Sequence, residues 1–235
     1  MATRRYWFAL AVLGGMLLLS LPLYVKPGSA CDGGAGCTVG VSSPGGLLTV
    51  DELARPGLLQ AYLLLALLGV GVLLVRCYRR AGKLGRLVPA LVAAAAFTAG
   101  TAWLTLTHWS GFRTSSAVLE TARLILFNGA TPVLLVAVTV LALAAGERSL
   151  PLLAFGVLFG AVAYVAATYD SFYVLGQVGL PLDTLRDPKG IRQVLNIAAP
   201  TALLLLAAAA ARLSSGRSPA GAEGATAKRA RHSRR

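Results

Sequence analysis

The chain has 235 residues, 56% hydrophobic and only 13% charged, with a formal net charge of +13. So apolar a composition excludes an intrinsically disordered chain, and a basic nucleic-acid-binding domain is not usually so greasy. Apolar runs of about twenty residues recur along the whole length, the mark of a chain that crosses a bilayer repeatedly.

In chain order the predicted spans are 6–24, 57–75, 87–107, 124–145, 150–168 and 195–211. None contains Asp, Glu, Lys, Arg or His, each of which costs roughly 2.5–3.5 kcal/mol at mid-bilayer. The last is the shortest, and Ile191 to Arg212 can extend it. The fold expected is all-α: a polytopic membrane bundle of six transmembrane helices over residues 1–213, followed by a basic tail at 214–235.

The first span has a rival reading. Arg4 and Arg5 precede it and Gly28-Ser29-Ala30 follows, as in a cleaved signal peptide, and Cys31 invites a lipoprotein reading. The apolar run is longer than a usual signal core, and Tyr24-Val25-Lys26-Pro27 separates it from the small residues. A retained helix is therefore favoured.

Lys and Arg set the orientation. With the N-terminus inside, segments 1–5, 76–86, 146–149 and 212–235 are cytoplasmic and hold fifteen basic residues against Glu147 and Glu223. The outer segments hold seven basic residues and seven acids. All of the net charge thus falls on one face. The location expected is the plasma membrane, with both termini cytoplasmic.

Residues 25–56 form the largest outer loop. Cys31 and Cys37 lie there on the oxidising side, and a small disulfide loop is expected. Their spacing is not a common redox one, and no His lies nearby for a metal. Cys77, beside Arg76, reads as inert filler. In the segment 169–194, Asp187 then Pro188 reads as a helix N-cap followed by proline at the first position. The tail ends in Lys228-Arg229-Ala230-Arg231-His232-Ser233-Arg234-Arg235. It is expected to be disordered and to rest on anionic lipid. Nucleic acid is a weak alternative partner, since no aromatic residue is interleaved.

The chain has five side-chain amides, and three of them, Gln60, Asn128 and Asn196, are spaced by 68 residues and 68 again. Each falls near the outer end of an even-numbered span. Val50-Asp51-Glu52-Leu53-Ala54-Arg55 is echoed by Val118-Leu119-Glu120-Thr121-Ala122-Arg123. Three parallel two-helix hairpin repeats follow as an expectation. Two copies also carry Asn-x-x-x-Pro, at Asn128–Pro132 and Asn196–Pro200. Proline has no N–H for the carbonyl four residues earlier, so the Asn carbonyl is freed beside its amide. The plain role is helix–helix glue, at about 0.6 kcal/mol per bond. The sharper one is a ligand path, because interrupted membrane helices in matching repeats point to a binding site. On that reading Gln60, Asn128, Pro132, Asn196 and Pro200 line a shared centre of helices 2, 4 and 6. Gly156 and Gly160 form a GxxxG pair, and Ala96 and Gly100 a second small pair, both expected at close helix contacts.

No carboxylate or His lies in a span, which disfavours a membrane proton relay. The two His residues cannot both ligate a haem in the bundle, since His232 is in the tail. Zinc-site, phosphate-loop and G-x-S-x-G patterns are missing, so no cofactor or metal is expected. One outer cluster, His108, Glu120, Arg123 and Asp170, brings acid, base and cation to a membrane surface. An interfacial salt bridge explains it as well.

Three functions remain open. The first is a small permease-like unit or a non-catalytic accessory subunit of a membrane complex, with a protein partner or a second copy. The second is an enzyme working on a lipid or headgroup at the outer surface through that cluster. The third is a scaffold whose outer loops hold a partner. A non-enzymatic role is favoured. The excess of Arg over Lys and the Ala-rich helices suggest a GC-rich prokaryotic genome.

Overall fold

The computed structural model describes residues 6–24, 56–109, 131–168 and 191–216. These form six helices: α1 (Tyr6–Ser20), continued by a 3-10 turn (Leu21–Tyr24), α2 (Pro56–Arg80), α3 (Leu84–Trp109), α4 (Thr131–Glu147), α5 (Leu150–Thr168) and α6 (Ile191–Gly216). No strand occurs among the described residues. Five segments are long and apolar enough to cross a membrane, and α4 is a shorter apolar helix.

Each helix packs on its chain neighbours, and α6 closes back on α1. The three extensive interfaces are α1–α6, α3–α4 and α4–α5. α2 is held thinly, by α1 on one side and α3 on the other. α1 and α4 also touch across the bundle and are its most enclosed helices. On α4, Val133, Leu135, Val136, Val140 and Leu143 are all buried. By contrast α2 and α3 turn one stripe inward and expose the rest: Leu65 is 70% exposed, Leu68 68% and Val92 61%.

Lipid tails are as apolar as leucine, so burial alone does not choose which helices meet, and close packing at small residues contributes. Each extensive interface carries one enclosed glycine. A Cβ on Gly14 of α1 meets Leu205 Cδ2 of α6 at 2.9 Å. On Gly146 of α4 it collides with the Arg86 carbonyl of α3. On Gly156 of α5 it meets Leu141 Cδ2 of α4 at 3.0 Å, and on Gly160 it meets Leu141 Cδ1 at 3.9 Å. On the loosely packed α2, Cβ atoms on Gly69 and Gly71 meet nothing within 4 Å. Ala96 and Gly100 do not mark a contact within the chain. Both are exposed, and the space beside Gly100 is open.

The two tight turns share one backbone solution. In the first, Gly82 N–H donates to Arg79 O and Lys83 N–H to Tyr78 O, each at 3.0 Å. In the second, Arg148 N–H donates to Ala145 O and Ser149 N–H to Ala144 O, each at 3.2 Å. Both are Schellman caps, which need a left-handed residue just past the helix. Gly82 (φ 65) and Arg148 (φ 50) supply it. Leu153 N–H then bonds Ser149 O, so Ser149 caps α5, and Pro151 sits in the first turn at no cost in bonds.

Candidate functional site

Two contacts fix the antiparallel register of α1 and α6. Arg212 stacks over the Trp7 ring at 5.3 Å, and Gly14 faces Leu204 and Leu205. Continued along both helices, that register sets residues 20–24 level with Asn196 to Thr201, and α6 does contact the 3-10 turn. In the α3–α4 pair, Arg86 meets Gly146 and Glu147 at one end. The same register sets Thr101 level with Thr131 at the other.

Buried polar residues collect at that far end, away from Arg86 and Arg212. Ser20, Thr101, Thr131, Asn196 and Thr201 are each 4% exposed or less. Thr139, in the middle of α4, is the sixth buried polar residue among those described. Most of the hydroxyls bond carbonyls of their own helix: Ser20 to Leu17 at 2.7 Å, Thr101 to Thr98 at 2.8 Å, Thr201 to Ile197 at 2.6 Å. Such back-bonding satisfies the hydroxyl donor and leaves its oxygen able to accept. Tyr62 of α2 donates to Met16 O of α1 at 2.7 Å, and Tyr24 is buried at the end of the 3-10 turn.

Prolines loosen the backbone at the same level. Pro200 stands inside α6, so Asn196 O loses its α-helical donor. Pro22 lies in the 3-10 turn that ends α1 and denies the same donor to Leu18 O. A proline within the continuous helix α6 and one in the 3-10 turn that ends α1 therefore lie at about the same level, with Asn196, Thr201, Ser20 and Tyr24 on the same two segments.

Of the residues singled out by sequence, Asn196 and Pro200 fall in this layer and are buried. Pro132 is buried too and is the second described residue of α4; its counterpart Asn128 lies outside the described residues. Gln60 lies near the start of α2 and His108 in the last turn of α3. Asn128, Glu120, Arg123, Asp170, Asp187, Cys31 and Cys37, and the tail beyond Gly216, lie outside the described residues. Whether the outer ends of helices 2, 4 and 6 line a shared centre turns on Asn128 and its neighbours, which lie outside the described residues. Among the described residues α2, α4 and α6 share no substantial interface. Ser20, Pro22, Thr101, Thr131 and Thr201 carried no weight in the sequence. The available signals were Pro22 inside an apolar run and a Thr adjoining each of Pro132 and Pro200.

A second polar cluster lies at the opposite, basic end. Arg86 Nη1 is 3.1 Å from Glu147 Oε2, the Arg side chain being 46% exposed and the Glu 13%. Beside them is a small pocket lined by Cys77, Tyr78, Ala81, Lys83 and Glu147. No group of three metal-ligating side chains occurs among the described residues.

The architecture is that of a multi-pass helical membrane protein. Comparison of the chain with protein-family models, with curated proteins and with solved structures finds no match.

Proposed function

We propose that the chain is a small permease-like unit whose path for an uncharged, hydrogen-bonding solute runs through the far-end polar layer. One observation carries this reading: buried Asn196 and Thr201 flank Pro200 inside α6, level with Pro22 in the 3-10 turn that ends α1. Interrupted membrane helices expose backbone carbonyls where a solute can replace helix bonds. The groups gathered there are amide and hydroxyl, neutral donors and acceptors suited to a polar solute without charge.

On this reading the excess of Lys and Arg at the basic end supports a cytoplasmic position for it, with the polar layer toward the outer leaflet. A disulfide between Cys31 and Cys37 on that outer side belongs to the same picture. So does docking of the basic tail on anionic lipid. A role as accessory subunit fits the broad apolar faces of α2 and α3, which a partner helix can cover as readily as lipid.

The test is swelling of proteoliposomes in a panel of small polyols, amides and sugars. At least one solute is expected to enter faster than in empty vesicles, with Asn196→Leu abolishing the gain. Equal rates for all solutes with and without protein refute the permease reading and leave the accessory role.

A further inference from the structure

We infer that the bundle is built as two rigid bodies, α1 with α6 and α3 with α4 and α5, which part at the far end to open the polar layer, with α2 as the strap that holds them shut. The inference rests on the permease reading and says how that site is reached.

The layer is sealed. Ser20, Asn196, Thr201, Thr101 and Thr131 are each 4% exposed or less, so a solute reaches them only when helices separate. The packing says where. The three extensive interfaces all fall inside one body or the other. So do the close glycine contacts: Gly14 on Leu205 in the first, Gly146 on Arg86 and Gly156 on Leu141 in the second. Between the bodies, among the described residues, α1 touches α4 and α5 touches α6 only lightly. The layer straddles that seam, with Ser20, Asn196 and Thr201 on one side and Thr101 and Thr131 on the other. Closely packed helices move as blocks. Parting the seam at this level turns hydroxyls and an amide toward water or a solute, either of which can satisfy them.

The strap α2 crosses the seam. Its basic end belongs to the second body: a tight turn joins it to α3, and buried Tyr78 lies against the Glu147 carboxylate of α4. Its other half is held to the first body, where Tyr62 donates to Met16 O at 2.7 Å, one turn before Ser20. The same half touches the 3-10 turn, and α2 otherwise packs thinly on α1 and α3. The Tyr62 hydroxyl is thus a polar tie across the opening end, next to the layer itself.

The test is double electron–electron resonance on the full chain in proteoliposomes, in a Cys31→Ser, Cys37→Ser, Cys77→Ser background. Spin labels go on pairs of exposed positions. Leu19→Cys with Trp103→Cys spans the seam at the level of the layer. Leu19→Cys with Leu206→Cys lies within the first body, and Val92→Cys with Val157→Cys within the second. The seam pair is expected to show two distances. Tyr62→Phe, which keeps the ring, should raise the longer over the shorter about threefold to fivefold, as for one lost hydrogen bond. Each control pair should show one distance, unmoved by Tyr62→Phe.

A single seam distance in both wild type and Tyr62→Phe overturns the device, and so does equal broadening of all three pairs. Two seam distances whose ratio Tyr62→Phe leaves unchanged overturn α2 as the strap. Swelling of the same vesicles separates this inference from the reading beneath it. Solute entry across a rigid seam overturns the device alone, and a seam that opens while no solute enters overturns the permease reading.

Discussion

Arg86 grips the end of α4 twice. Its backbone carbonyl occupies the space a Cβ on Gly146 would need, and its guanidinium pairs with the next residue, Glu147, at 3.1 Å. The cation also lies at a helix C-terminus, where the helix dipole favours it. One residue thus sets the distance between α3 and α4 and locks their ends.

Gly146→Ala should therefore force the two helices apart. The obstacle is a backbone carbonyl, which cannot rotate away, so the cost is expected at about 1–3 kcal/mol. Gly156→Ala meets only the tip of Leu141 and should cost less. Gly100→Ala faces open space and should be neutral or slightly stabilising. Unfolding of the three variants in a mild detergent checks the order. Equal loss in all three contradicts it.

The ion pair should be asymmetric. Removing Arg86 leaves Glu147, 13% exposed, as a mostly buried charge without its partner. Removing Glu147 leaves Arg86, 46% exposed, which water can solvate. Arg86→Gln is expected to cost about 1–2 kcal/mol and Glu147→Gln a few tenths, near the value for an exposed pair. The reverse order in the same unfolding assay refutes the account of this end.

The turns give opposite expectations at equivalent positions. Arg148 adopts φ 50 and Gly82 φ 65, and a side chain in that region costs about 1 kcal/mol. Arg148→Gly should raise stability by roughly that amount, and Gly82→Ala should lower it as much. Thermal unfolding of both variants measures it. A destabilised Arg148→Gly protein shows that the arginine side chain contributes more than its backbone strain costs.

The helices were legible because lipid imposes length and purity on them. Spans 6–24 and 150–168 coincide with α1 plus its 3-10 turn and with α5, and α2, α3 and α6 run a few residues longer. Their polar ends, such as Arg76 to Arg80, continue the helix past the apolar core. Which helices meet was not legible. In water an amphipathic stripe names the buried face, but in lipid both faces of α1 and α4 are apolar and the stripe vanishes. The glycines at the contacts are Gly14, Gly146 and Gly156, and a glycine enclosed by a neighbouring helix looks in sequence like one facing open space. The candidate site was half legible: Asn196 and Pro200 stood out by chemistry, while Ser20 and Thr201 needed the α1–α6 register to join them.

The central claim is that water reaches the buried layer level with Pro22 and Pro200. Thiol labelling in proteoliposomes tests it most directly. Single cysteines at Ser20 and Thr201, in a chain whose own Cys31, Cys37 and Cys77 are serine, are treated with a membrane-impermeant thiol reagent. Leu204→Cys, buried on the same face of α6, and Leu206→Cys, exposed on that helix, serve as controls. The account predicts labelling at positions 20 and 201 and none at 204 or 206, with a permeating solute slowing the reaction. Unlabelled cysteines at both layer positions, in protein that still unfolds like wild type, contradict it and reduce the layer to helix–helix glue.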